Sequence, residues 1–191
     1  MIRNLAPGDG TFTSNVFLVE GETTALVDVG NDFDVVSAIR DHVDTLDLVV
    51  LTHTHPDHVG TLPAVREAFD APVVGDDGTF DGVDRGLDDA ETLRIGDHDY
   101  AVLHTPGHKD DHVCLYADEA AVLFAGDLVF ANGSFGRTDL DEGNRAQLVE
   151  SIDRVLSVVD EDLAALHTGH GPSVTDRAYQ NIELARQAAR F

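Results

Sequence analysis

His53-Thr54-His55-Pro56-Asp57-His58 puts three histidines and a carboxylate within six residues. It follows directly on Asp47-Leu48-Val49-Val50-Leu51, a short apolar run that reads as a buried strand. Imidazole nitrogens and carboxylate oxygens are the ligands that suit zinc, iron or manganese. On an extended backbone His53 and His55 project alike. Asp57 and His58, beyond the turn at Pro56, can aim elsewhere, toward a second ion. A polar loop that merely happens to be rich in histidine accounts poorly for this density and order.

Upstream of the cluster, Asn15-Val16-Phe17-Leu18-Val19-Glu20, a turn at Gly21-Glu22-Thr23, and Thr24-Ala25-Leu26-Val27-Asp28 have the shape of a β-hairpin. Asp32 or Asp34 can cap a helix with Val35, Val36, Ile39 and Val43 on one face. Downstream, Thr61 can cap a helix with Pro63 in its first turn and Leu62, Val65 and Phe69 facing inward. Strands are expected at Pro72 to Val74, Thr92 to Ile95, His98 to His104, His112 to Ala117, Ala120 to Ala125 and Leu163 to His167, with loop or short edge structure from Gly75 to Asp89. Asn144 and Gln147 resemble a capping box for a helix carrying Leu148, Ile152, Val155, Leu156 and Val159 on one stripe, and a last helix begins near Thr175. With no strict βαβ alternation, two sheets covered by helices would bury these faces. No repeat or linker divides the chain, so a single domain over residues 1–191 is expected.

Three further residues follow expected strands, where loops on a rigid scaffold converge. They are His108 in Thr105-Pro106-Gly107-His108, Asp127 in Ala125-Gly126-Asp127, and His170 in Gly169-His170-Gly171. Singly, each is an ordinary solvated or structural residue; in this order, they form a specific set.

With these residues the chain resembles the metallo-β-lactamase superfamily, whose HxHxDH signature is similar to His53 through His58, over roughly Phe12 to Thr175. The resemblance implies a mixed α/β (α+β) fold, the four-layer αββα sandwich. It implies one ion on His53, His55 and His108, a second on Asp57, His58 and His170, and Asp127 bridging them, with Asp57 and Asp127 in catalytic roles. Two divalent ions about 3.5–4 Å apart can share a water and hold it as hydroxide beside a polarised carbonyl. Zinc is the expected metal, with iron or manganese as alternatives. Asp28 resembles a carboxylate that supports the histidine cluster from behind; a turn or capping role is the other reading.

Gly126-Asp127-Leu128-Val129-Phe130 with Gly136-Arg137-Thr138-Asp139-Leu140 is similar to the corresponding region of glyoxalase II-like hydrolases. That implies hydrolysis of a thioester or a related ester or lactone of a small-molecule substrate. The chain departs from full-length glyoxalase II by closing on a single helix, and it carries Lys109 and Asp110 where relatives often have Thr and a small residue. Persulfide dioxygenases, with a single iron on the equivalents of His53, His108 and Asp127, resemble the same motifs and are the rival reading; a non-catalytic metal-binding protein would have lost ligands that are all present here. Arg137 reads as an ion-pair partner or a substrate contact. His42 and His98 read as exposed, His104 and His112 as structural residues or as groups that fix ligand tautomers, and His167 competes with His170 as a ligand. Cys114, the only cysteine, reads as a core residue.

A chain of 191 residues can bury roughly 70% of its unfolded surface without disulfides. No stretch reads as a signal peptide or a membrane span, so a soluble cytoplasmic protein is the expectation, and the sequence does not fix an oligomeric state. Acidic residues outnumber basic ones 36 to 12, the net charge is −24, and Lys109 is the only lysine. Such a surface repels phosphate backbones and anionic lipid, which argues against nucleic acid and membranes as partners. It resembles the proteins of salt-accumulating halophiles. Repulsion among so many carboxylates is tolerable where the Debye length is about 3 Å, near 1 M salt, and destabilising in dilute salt. The thermal midpoint should therefore fall between about 1 M and about 0.1 M KCl; an unchanged midpoint would show that the charge is not salt-dependent in its effect.

Overall fold

In the computed structural model, which describes residues 1–8 and 11–191, the N-terminal part builds a six-stranded sheet. Its strands are β1 (Ile2–Asn4), β2 (Phe17–Val19), β3 (Ala25–Val27), β4 (Leu48–Val50), β5 (Val73–Gly75) and β6 (Arg85–Gly86), paired in that order. The expected hairpin is β2 against β3, antiparallel, with Phe17 opposite Val27. From β3 onward the pairing is parallel, Val27 meeting Val50 across β3 and β4. Three helices accompany this sheet: α1 (Val35–Arg40), α2 (Pro56–Val59) and α3 (Leu62–Phe69). Leu18, Leu26 and Val49 from the strands pack with Val35, Ile39, Leu62 and Val65 from the helices in one buried cluster. Each such side chain taken from water contributes about 1.5–3 kcal/mol.

Asp34 supplies the cap of α1, its side chain accepting from the Ser37 N–H at 3.0 Å. Val43 lies beyond the end of this helix, although helical spacing groups it with Val35 and Ile39. Thr61 occupies the cap position of α3 without a side-chain capping bond; its hydroxyl donates to the Val29 carbonyl instead. The short strand β1 and the turn of helix α2 carry no periodicity that sequence reading detects.

The second sheet contains β7 (Thr92–Ile95), β8 (His98–His104), β9 (Val113–Ala117), β10 (Val122–Phe124) and β13 (Ala165–His167), in the order β13-β10-β9-β8-β7. Between β10 and β13 the chain forms a small hairpin, β11 (Val129–Phe130) with β12 (Ser134–Phe135), and then helix α4 (Arg145–Val158). Helix α5 (Ala178–Ala189) ends the order, starting three residues later than Thr175. Leu148, Ile152 and Val155 of α4 and Ile182 and Ala185 of α5 are fully buried with Leu123, Leu128 and Leu166. The mixed α/β class expected from the sequence is the class found. Two compact units share the chain, Met1–Leu87 with Arg94–Asp97, and Asp88–Leu93 with His98–Phe191.

Helix α4 starts as the sequence indicates, with the Asn144 side chain accepting from the N–H groups of Ala146 and Gln147. The reciprocal half of the capping box is replaced, because the Asn144 N–H donates to the Gly107 carbonyl at 2.7 Å. This ties the start of α4 to the loop that carries His108. Among the described residues no helix is long and apolar enough to cross a membrane. Replacing Asn144 by Ala removes the side-chain cap and should cost about 1 kcal/mol, a fall in thermal midpoint of roughly 2–4 °C by circular dichroism in molar salt.

Candidate functional site

Strands β3 and β4 run parallel with Val27 opposite Val50, so the residues after their C-terminal ends leave the sheet side by side. Those residues are Asp28 on one strand and Thr52 and His53 on the other. Asp28 takes a φ of 57°, a left-handed conformation that Asp tolerates better than most residues, and its carboxylate is 3% exposed. Its Oδ1 accepts the Thr52 N–H at 2.8 Å, and its Oδ2 accepts the Thr52 hydroxyl at 2.8 Å. Oδ2 also lies 2.8 Å from His58 Nδ1. A carboxylate only accepts, so His58 carries its proton on Nδ1 and turns the lone pair of Nε2 outward. Because the Thr52 hydroxyl proton goes to Asp28, its oxygen accepts from His53 Nδ1 at 3.1 Å, and His53 also presents Nε2.

His53 Nε2 and His55 Nδ1 converge to 3.1 Å, and the His53 and His58 rings stand 4.0 Å apart. Asp57 and His58 each offer a ligand atom within 4.8 Å of the other. His55 is the cap residue of α2, and the His58 N–H donates to its carbonyl at 2.9 Å. The first unit thus gathers the donors of the His53–His58 segment, with Asp28 fixing two of them. The supporting role of Asp28, left open against a turn role by the sequence, is the one the geometry shows.

In the second unit β10 and β13 are parallel, Phe124 opposite His167, which carries Asp127 and His170 to the same end of the sheet. The His104–Val113 register of β8 and β9 brings the His108 loop there as well. Asp127 Oδ2 lies 3.3 Å from His108 Nε2 and 3.5 Å from His170 Nε2. His108 Nδ1 is 2.8 Å from the Arg137 carbonyl; a carbonyl only accepts, so Nδ1 holds the proton. Its other nitrogen, Nε2, faces a buried carboxylate oxygen, and in the neutral imidazole that nitrogen presents a lone pair. Two electron-rich atoms held this way call for a cation between them. Protein imidazoles that bind metal donate their other N–H to a carboxylate or a backbone carbonyl, which is what His58 and His108 do, and the nitrogen and carboxylate donors fit a divalent first-row ion.

The remaining sequence candidates separate cleanly. His167 stacks on Phe124 with ring centroids 5.0 Å apart, and Nδ1 lies 2.8 Å from the Ser173 hydroxyl. Burial pushes its imidazole down to about 4, and His170 is the residue beside Asp127. His42 is exposed, whereas His98 is half-buried, 3.7 Å from Glu119. His104 Nε2 meets the Asp110 carbonyl at 2.9 Å. Cys114 is fully buried and its thiol is pushed up to about 12 by desolvation, which makes it a core residue. Lys109 is held between Glu142 at 2.7 Å and Asp111 at 3.3 Å. The Arg137 guanidinium forms an exposed two-pronged pair with Asp139, so the part of Arg137 that touches His108 is its backbone. No sequence signal marks that carbonyl, or the Thr52 hydroxyl, as tautomer-fixing groups.

The sequence profile of the Metallo-beta-lactamase superfamily matches residues 9–81 and 75–170. The chain belongs to this superfamily. Among its relatives, a Bacillus subtilis protein named "Probable metallo-hydrolase YqgX" is 31% identical over 82% of the chain and 83% of its own length. A Klebsiella pneumoniae hydroxyacylglutathione hydrolase is 36% identical over 72% of the chain, which spans only 54% of that enzyme. The superfamily fold recurs in the crystal structure of BLEG-1 B3 metallo-beta-lactamase, at a TM-score of 0.77 and 28% identity over 92% of this chain and 94% of that one. It recurs again in TTHA1623 in a di-iron-bound form, at a TM-score of 0.73 and 30% identity over 98% and 96%.

Gly136 shows why the superfamily member needs its Gly136-Arg137 step. A Cβ there would meet the Asp127 carbonyl oxygen at 1.9 Å and His108 Nδ1 at 3.0 Å. Gly136→Ala must displace backbone and should destabilise by about 3 kcal/mol or more, seen as a drop in thermal midpoint. Arg137→Ala keeps the carbonyl and should leave the midpoint in place; equal losses in the two variants would sink this account of the loop.

Proposed function

We propose that this superfamily member is a metal-dependent hydrolase that cleaves a thioester or a related ester or lactone of a small molecule. The observation that carries the reading is the set of fixed tautomers. His53, His58 and His108 each spend one ring proton on a built-in acceptor, which leaves the other nitrogen as a lone-pair donor. His53, His55 and His108 would hold one ion, Asp57, His58 and His170 a second, and Asp127 would serve both. When bound, two divalent ions supply an acidified water and a Lewis acid for the carbonyl oxygen. Asp57, half-buried in the first turn of α2, is the carboxylate that orients the attacking water and accepts its proton. Asp127, with His108 and His170 turned to one of its oxygens, keeps these donors at fixed separation.

The thioester assignment draws support from the Klebsiella hydroxyacylglutathione hydrolase at 36% identity. Because the chain spans about half of that enzyme, the proposal stops at acyl conjugates of a small thiol and does not extend to glutathione. Zinc is the proposed metal. The net charge of −24 supports a protein that works in concentrated salt.

Metal analysis of the protein purified in about 1 M KCl, with assays for thioester hydrolysis and persulfide-dependent oxygen uptake, tests the proposal. Two zinc ions per chain with thioester turnover are expected. A single iron with oxygen uptake would overturn it in favour of a persulfide dioxygenase. Asp127→Ala should lower metal content and abolish turnover; full activity in this variant refutes its bridging role.

A further inference from the structure

The imidazole of His112 is fully buried and is not one of the proposed ligands. Its Nε2 lies 3.0 Å from the backbone nitrogen of Asp127. A backbone N–H can only donate, so Nε2 is an acceptor and the ring proton sits on Nδ1. That proton points at the Thr105 hydroxyl oxygen, 2.9 Å away. The Thr105 hydroxyl in turn lies 3.4 Å from Cys114 Sγ, and the Cys114 thiol faces the Ala125 carbonyl at 3.5 Å. His112, Thr105, Cys114 and Ala125 are at 0% exposure, and because the Asp127 N–H can only donate, the Thr105 hydroxyl accepts from His112 and gives its own proton to Cys114 Sγ or to the Leu103 carbonyl, each 3.4 Å away.

The Asp127 peptide needs such an anchor. It follows Gly126, whose φ of 46° lies in the left-handed region that glycine adopts without steric cost. The Gly126 carbonyl accepts from the Gly169 N–H at 2.7 Å, and the Leu128 N–H donates to Ala125 at 3.0 Å. His112 supplies the acceptor for the Asp127 N–H between those two bonds. With its peptide plane fixed, Asp127 directs Oδ2 to His108 and His170.

We propose that His112 is a positioning residue, which holds the Asp127 backbone N–H on Nε2 and so aims the Asp127 carboxylate at the metal. It acts on the backbone of a ligand, not on a ligand side chain, and touches no reacting atom. The inference rests on the metal-dependent reading of the site.

Three variants test it: His112→Leu removes the acceptor, His112→Gln places an amide oxygen near the position of Nε2, and Thr105→Val removes the group that fixes the ring proton. The readouts are zinc affinity by chelator competition and the visible spectrum of the cobalt-substituted protein, with circular dichroism of the metal-free protein as a control for folding. Loss of a group that orients a ligand costs about 10–100-fold in metal affinity, the effect expected for His112→Leu together with an altered cobalt spectrum. His112→Gln should recover most of the affinity, and Thr105→Val should fall between them. Wild-type affinity and an unchanged cobalt spectrum in His112→Leu would overturn the role. Should the leucine variant fail to fold, Gln and Thr105→Val decide: a Thr105→Val protein that binds zinc and cobalt as wild type does overturns it equally. A wild-type protein that takes up no divalent ion would instead sink the metal-dependent reading on which the inference stands.

Discussion

Which nitrogen of a buried neutral imidazole offers its lone pair is set by the acceptor that holds the proton on the other. His58 has the Asp28 carboxylate, His53 has the Thr52 hydroxyl that Asp28 itself orients, and His108 has the Arg137 carbonyl. Leaving such a proton without a partner in the interior costs about 1–3 kcal/mol, so these acceptors are part of folding as well as of the site. Asp28 is central because one carboxylate, 3% exposed, fixes two rings at once.

Each unit places its polar side chains at the end of a sheet whose hydrophobic residues are otherwise fully covered. In the first, Leu26 and Val49 are buried just before Asp28 and Thr52. In the second, Leu123 and Ala125 precede Asp127, and Leu166 precedes His170. Rigid strands deliver the loops, and short loops limit how far the donors can wander. The close approach of Gly136 to Asp127 and of Gly107 to Leu148 packs the second set of loops so tightly that backbone atoms become part of the donor geometry.

The strongly acidic composition belongs to a different level of organisation. Most carboxylates lie on exposed loops and helix faces, where their energetics follow the solvent's ionic strength. A few, among them Asp28, Asp111 and Asp127, are buried and answer to local partners instead. Asp127 and its counterpart in the first unit, Asp28, therefore belong to the buried minority, apart from the surrounding surface charge.

Much of this was legible in the linear chain, since alternation and apolar runs mark β2 through β5 and β7 through β10, and the histidine cluster after β4 announces metal chemistry by residue type alone. Short elements such as β1, α2 and the β11–β12 hairpin were not, because three or four residues carry no measurable period. The sequence by itself determined which donor atoms the protein owns and the order in which they leave the strands. Only the tertiary structure decided which nitrogen of each ring is free to bind. For His58 and His108 the choice is made by acceptors 30 and 29 residues away, and for His53 by the neighbouring Thr52 hydroxyl that Asp28 orients from 24 residues away; strand register brings such distant atoms within hydrogen-bond reach.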